Sequence, residues 1–369
     1  MSSEWIDEAR RQVEICNACR YCEGYCSVFP AISRQRAFAE GDIVQLANLC
    51  HNCRGCYYAC QYTEPHEFAL NLPRALAEVR HDSWKTHAWP AWFATLFDRS
   101  GSAVALGLVS GFALILALAQ ALRPASGEGF YAYMSPGLMV GVFAPAFLAP
   151  LAAMTLSLRG YWRRVGGGGV AYADLVAALR SAGAMKELSG GHGEGCNFED
   201  EDRFTSARRH AHRATLYGFL LCFAATSAGT VLHYGFDAPA PYGLVSLPKL
   251  FGLPGGVLLC VGTAALARLK TRADPDLGAR ALWAGEMAFV LLLFVVSASG
   301  LALYAATGSG AVGMLLPLHL GAVLTFFLLT PYSKMAHGFY RLAALTRDAA
   351  AKRPRPAASA AVSGAPGQV

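Results

Sequence analysis

The first fifteen residues, MSSEWIDEARRQVEI, contain no apolar run and no small-residue cleavage site, so no secretory signal is expected there. Charge is also scarce: 15% of the 369 residues are Asp, Glu, Lys or Arg against 54% hydrophobic, and mean hydropathy is +0.33. That balance excludes a wholly soluble chain. A flavin- or nucleotide-binding signature is missing too. The glycine-rich stretch GGHGEGC, ending at Cys196, lacks the strand–turn–helix setting such motifs need. No basic–aromatic groove is visible, so the net charge of +6 is no argument for nucleic acid.

What the chain has instead is cysteine, concentrated in two blocks. ICNACRYCEGYC carries Cys16, Cys19, Cys22 and Cys26, and CHNCRGCYYAC carries Cys50, Cys53, Cys56 and Cys60. Disulfides belong to oxidising compartments and small secreted domains, which nothing here suggests. Structural zinc favours paired C-x2-C knuckles separated by a longer spacer. Three cysteines at x2 intervals with a fourth after x3 is instead the rhythm of a [4Fe–4S] site, in which the fourth thiolate serves the other cluster. The expected pattern is therefore crosswise: Cys16, Cys19, Cys22 and Cys60 for one cluster, Cys50, Cys53, Cys56 and Cys26 for the other. The proline that often follows the fourth cysteine is displaced here to Pro30 and Pro65. Cys196, Cys222 and Cys260 stand alone and read as structural or packing residues.

Hydrophobic residues are segregated. Residues 1–95 are polar, cysteine-rich and loop-like. Six later runs are long enough to cross a bilayer, at Ser100–Leu122, Met134–Leu158, Thr215–Tyr234, Leu247–Ala267, Ala281–Ala306 and Val312–Tyr332. Basic residues crowd alternate connections: Arg159 to Arg213 after the second run, Arg268 to Arg280 after the fourth, Lys334 to Arg355 after the sixth. The positive-inside rule puts these loops in the cytoplasm of a bacterial inner membrane, and an even number of spans puts the cysteine region there as well. The cytoplasmic loop 159–212 should contain a short helix, YADLVAALRSAG. Residues 346–369, rich in Ala, Pro, Ser and Gly, read as a disordered tail.

Histidine inside a membrane span is costly without a partner or ligand. At or within the third and sixth runs, His212 and His337 fall at the cytoplasmic depth, His233 and His319 at the periplasmic depth. Each pair could clamp a haem iron from both sides; the plain alternative is interfacial histidines bonded to backbone or water. His319 and His337 lie 18 residues apart, which on one continuous helix puts them on one face about 27 Å apart, loosened by a kink at Pro331. Lys334 could reach a haem propionate or simply snorkel to the interface.

The segments ICNACRYCEGYCSVFPA, LANLCHNCRGCYYACQYTEPHEFALNLP, GCNFEDEDRFTSARRHAH, YGFLLCFAATSAGTVLHY and PYSKMAHGFYRL resemble the TcuB/CitB-type tricarballylate/citrate-utilisation iron–sulfur membrane proteins. The similarity covers most of residues 10 to 345. The histidine layout is also similar to that of the di-haem gamma subunit of respiratory nitrate reductases. The resemblance implies a mainly α fold: a two-cluster ferredoxin-like, α-helical domain over 1–95, then a six-helix haem b domain over 96–345. It further implies an electron carrier that reoxidises the reduced flavin of an FAD-dependent dehydrogenase, of the type that converts tricarballylate to cis-aconitate, and passes the electrons to membrane quinone. A haem-free, membrane-anchored ferredoxin-type adapter and a cluster-based sensor remain open as alternatives.

Overall fold

The computed structural model describes residues 3–122, 132–190, 193–197 and 203–353. It is 74% helical, with no strands among the described residues beyond a single bridge between Cys196 and Thr205. The cysteine region is built on helices: α1 (Ser3–Cys19), α2 (Val28–Ser33), α3 (Glu40–Leu49), α4 (Gly55–Tyr58) and α5 (Leu72–His87). The loop-like reading of this region is therefore corrected. Ile6, Ala9 and Val13 recur at helical spacing along α1 and are buried, but the charged residues between them mask the period. Asn71 caps α5, its side chain accepting from the Arg74 amide at 3.2 Å, with Pro73 in the first turn.

Among the described residues, six helices are long and apolar enough to cross a membrane. They are α6 (Ala91–Ala121), α7 (Pro136–Arg164), α9 (Ala207–Gly235), α10 (Leu247–Arg272), α11 (Trp283–Ala305) and α12 (Val312–Leu329), with α8 (Tyr172–Gly183) between the second and third, and α13 (Ala336–Lys352) after the sixth. The YADLVAALRSAG segment forms α8. Several of these helices extend past their apolar runs into polar turns. Helix α6 bends at Ser100, where φ −146° and ψ 37° leave helical geometry.

Two expectations change at the sixth span. The helix does not kink at Pro331 and continue; it stops at Leu329, and α13 starts afresh at Ala336. Proline has no N–H to give and its ring crowds the carbonyl of Phe327, so the chain crosses 330–335 on turn hydrogen bonds such as Ser333 N to Leu329 O at 2.8 Å. His337 consequently sits on a different helix from His319, and their common-face spacing does not hold. Residues 346–352, read as the start of the tail, are helical, with Asp348 paired to Lys352 one turn on at 2.6 Å. The tail beyond Arg353 lies outside the described residues.

One core joins the cysteine region to the membrane helices. Ile32, Ile43, Leu46 and Leu76 pack with Met154 and Tyr161 at the end of α7, Ala178 of α8, and Tyr340 and Ala344 of α13. Two hydrogen bonds tie the joint: Tyr161 donates to Gln45 Oε1 at 2.9 Å, and Gln45 Nε2 donates to the Ala344 carbonyl at 2.8 Å. The connection between α10 and α11 reaches the same end, with Asn52 and Asn71 donating to the carbonyls of Leu277 and Asp276 at 3.0 and 3.1 Å. The basic connections thus lie on the side that holds the cysteines. Within the bundle α9 and α10 meet backbone to backbone. A Cβ on Gly218 would fall 2.5 Å from the Leu259 nitrogen, so only glycine allows the approach.

Candidate functional site: a double thiol centre beside a histidine pair

Three thiols of each block stand with the fourth thiol of the other, in two exchanged sets of four. Cys60 stands with Cys16, Cys19 and Cys22; Cys26 stands with Cys50, Cys53 and Cys56. Burial first, then the neighbouring thiols, pushes Cys16 and Cys22 up to about 12. Burial, followed by Cys196 and Cys50, does the same to Cys53. Cys26 and Cys56 are raised well above the ordinary thiol range, again by burial first. Thiols this crowded cannot all ionise unaided; a bound cation of high charge removes the conflict.

The first set rings a cavity of about 220 Å³ between the end of α1 and the 56–63 turn, with Cys19 exposed. Among the described residues no three Cys, His, Asp or Glu side chains converge on the position of a single ion. Thiols spread around a void suit a polynuclear cluster better than one zinc. Amide donors already point at two sulfurs: Asn52 N to Cys50 Sγ and Tyr62 N to Cys60 Sγ, both at 3.4 Å. Bonds of that kind help set a cluster's potential.

The second set is enclosed by cations that the sequence disperses over 260 positions. Arg80 of α5 donates to the carbonyls of Cys50 (2.8 Å) and Ala47 (3.2 Å). Arg208 of α9 donates to Asn52 O at 2.7 Å and His51 O at 3.0 Å. Arg341 of α13 donates to Cys50 O at 2.5 Å. Burial, then the Arg80 charge, pulls Arg341 down to about 9. The bridged segment at Cys196 lies against the remaining side, with Asn197 N donating to the Cys53 carbonyl at 3.0 Å. Cys196, read as a lone structural residue, is therefore a neighbour of the second set, buried, with its thiol directed at the Leu188 carbonyl at 3.5 Å.

Of the histidines, His212 on α9 and His337 on α13 meet with ring centroids 5.8 Å apart and planes at 71°. Two imidazoles bound to one iron through bonds of about 2 Å would have centroids roughly 6 Å apart. The pair has that spacing. His337 Nδ1 bonds the Lys334 carbonyl, which fixes the ring and leaves Nε2 for a ligand, the usual arrangement behind a metal-bound histidine. His212 Nδ1 is buried with no hydrogen-bond partner among the described residues. His210, two positions away, is exposed.

At the opposite depth the neighbours differ. His319 Nδ1 bonds Ser299 Oγ at 3.1 Å, and its ring lies on Gly300, where a Cβ would come within 3.0 Å of Cε1. The His233 ring stands 4.4 Å from that of Tyr234. Between the two depths α9 and α12 are bridged by aromatic rings, Phe219 to Phe326 at 5.6 Å. Lys334 pairs with Glu286 and lies 5.6 Å from the Trp84 ring. Burial lowers its ammonium to about 8 despite Glu286.

Comparison with known proteins agrees with this division of the chain. Residues 9–86 match the model described as the citrate utilization protein B Fer4-like domain, and residues 100–359 match that of citrate utilization protein B. The citrate utilization protein B of Escherichia coli is 42% identical over 352 residues, 94% of this chain and 92% of that protein. No solved structure matches. A helical thiol domain of Fer4-like type, joined to six membrane-length helices and matched over 94% of the chain, makes it a member of the citrate utilization protein B family.

Proposed function

We propose that this chain is a membrane electron carrier between the reduced flavin of a partner dehydrogenase, of the tricarballylate-oxidising type, and membrane quinone. The observation that carries the reading is the gathering of eight thiols into two exchanged sets of four, with the His212–His337 pair joined to the second set through α13. Cys16, Cys19, Cys22 and Cys60 would hold one [4Fe–4S] cluster, and Cys50, Cys53, Cys56 and Cys26 the other. His212 and His337 would hold a b-type haem; His233 and His319 would serve a second at the periplasmic depth. Such iron centres accept and release single electrons, which lets a two-electron flavin be emptied stepwise.

The residues arrange a direction of flow. Cys19 is exposed at the rim of the first set, where a flavoprotein could dock. Arg80, Arg208 and Arg341, bonded to carbonyls of the second block, would favour the added electron on the second set. The basic connections gathered on the cysteine side support a cytoplasmic location for that domain in a bacterial inner membrane. The test is metal analysis, pyridine haemochrome assay and low-temperature EPR on one preparation from membranes. We expect about eight cluster irons together with haem iron; recovery of zinc in their place would overturn the assignment.

A further inference from the structure

We propose that the cleft between α5, α6 and α11 binds the quinone headgroup, an inference that rests on the electron-carrier reading and adds where the final acceptor sits. The cleft is lined by His81, Trp84, Lys85, Asp98, Gly285 and Lys334, among others. Its enclosed part is about 70 Å³. That is less than the ~150 Å³ that encloses a benzene ring in an apolar cavity. A quinone ring would therefore lie half in the protein and half at its mouth, as a molecule with a lipid-soluble tail needs.

Three features point to this ligand class. The mouth stands at an aromatic belt: Trp89, Trp92 and Trp283 are exposed, and the Tyr332 hydroxyl donates to the Trp89 carbonyl at 2.9 Å. Such belts mark the depth where headgroups meet hydrocarbon. The walls carry a relay for protons. His81 Nε2 lies 2.8 Å from Asp98 Oδ1, and Lys85 Nζ lies 2.7 Å from Asp98 Oδ2 with its side chain 40% exposed. Finally, Trp84 joins the cleft to the iron-binding residues. Its Nε1 donates to Asn48 Oδ1 at 2.8 Å, on the helix that Cys50 caps, and its ring stacks on Tyr340 at 5.9 Å, three residues beyond His337.

The reaction balances as quinone plus two electrons plus two protons giving quinol. The electrons originate in the partner's reduced flavin and arrive singly. The protons come from cytoplasmic water by way of Lys85 and the Asp98–His81 pair, one for each quinone oxygen.

Full-length protein in lipid nanodiscs, reduced with dithionite, is reoxidised with decylubiquinone or, independently of any site, with ferricyanide. A Cβ on Gly285 meets only Phe97, at 3.9 Å, so Gly285→Leu should fold and fill the cleft. We expect it to raise the half-saturating decylubiquinone concentration about tenfold or more, with ferricyanide reoxidation and cluster EPR unchanged. Ala94→Met fills the same cleft from α6 and should act alike. Asp98→Asn should slow turnover without moving half-saturation. An azido-quinone photolabel should map to peptides spanning 81–98 and 281–286. Unchanged half-saturation in both filled variants, or label confined elsewhere, overturns the site. Label in the cleft of a wild-type protein that decylubiquinone fails to reoxidise would uphold the site and overturn the carrier reading instead.

Discussion

Arg341 donates from Nη2 to the carbonyl oxygen of Cys50 at 2.5 Å, linking two residues 291 positions apart. The contact fastens the helix that carries His337 to the loop that carries the second thiol block. Electrostatics at the two centres are therefore coupled.

Replacing Arg341 with Met removes a buried positive charge from the second set. Less compensation for the added electron should lower the potential of the cluster proposed there by about 60 mV, the one-electron equivalent of a tenfold change. The first set, remote from Arg341, should keep its potential. EPR-monitored redox titration separates the two.

Exchange between the blocks has a stoichiometric signature. The double variant Cys26→Ser/Cys53→Ser should lose about four of about eight cluster irons, because both thiols serve one set. Cys22→Ser/Cys26→Ser should lose nearly all of them. Were each block to hold its own cluster, the second variant would retain half.

Replacing His337 with Ala removes one side of the imidazole pair. The reduced b-type band and the corresponding haem should fall by about half if two haems are bound, or vanish if one is, while cluster EPR persists. His210→Ala, at an exposed position on α9 two residues from His212, should change neither; pyridine haemochrome spectra decide.

Acid should loosen the joint between the thiol domain and the membrane helices. Burial lowers the His87 pKa from its usual 6.5, and its Nδ1 bonds the Ser83 carbonyl at 2.6 Å while its ring meets Tyr161 edge-on. The unfolded chain then binds the proton more readily than the folded one. His87's neutral packing is fully effective above pH 6.5 and is lost as pH falls toward the depressed folded value. Thermal unfolding in detergent at pH 7.5 and 5.5 should show a lower midpoint in acid, and His87→Gln should flatten that difference.

Close approach of α9 to α10 predicts a further outcome. Gly218→Val places atoms within 2.5 Å of backbone at Leu259, which cannot yield as a side chain would. Overpacking of this kind costs about 1–3 kcal/mol. We expect a lower unfolding temperature together with reduced haem content, since α9 also carries His212.

Local rhythm made the thiol blocks and the six apolar runs legible in the sequence, because cluster ligation and bilayer thickness both write short periodic patterns. The meeting of His212 with His337 followed from depth alone, although the single long helix assumed for His319 and His337 does not exist. The proline was visible in advance; what decided between a kink and a full break was the turn hydrogen bonding of 330–335. The arginine enclosure was illegible. Arg80, Arg208 and Arg341 lie on three helices with no shared pattern, and each looks like an ordinary basic residue at a membrane edge. Cys196 was hidden for the same reason, since it is the hydrogen bond from Asn197 N to the Cys53 carbonyl, beside the bridge to Thr205, that brings it to the second set.

The break after α12 also sets an order of assembly. Ribosomes add roughly 5–20 residues per second, so 15 seconds to a minute, roughly, separates the synthesis of Cys50 from that of Arg341. During that interval all six spans can enter the bilayer while the second thiol set still lacks one of its guanidinium walls and His212 still lacks its counterpart. Loading with iron before α13 emerges would leave the metal open to oxygen, which favours a late delivery, once the last helix has docked.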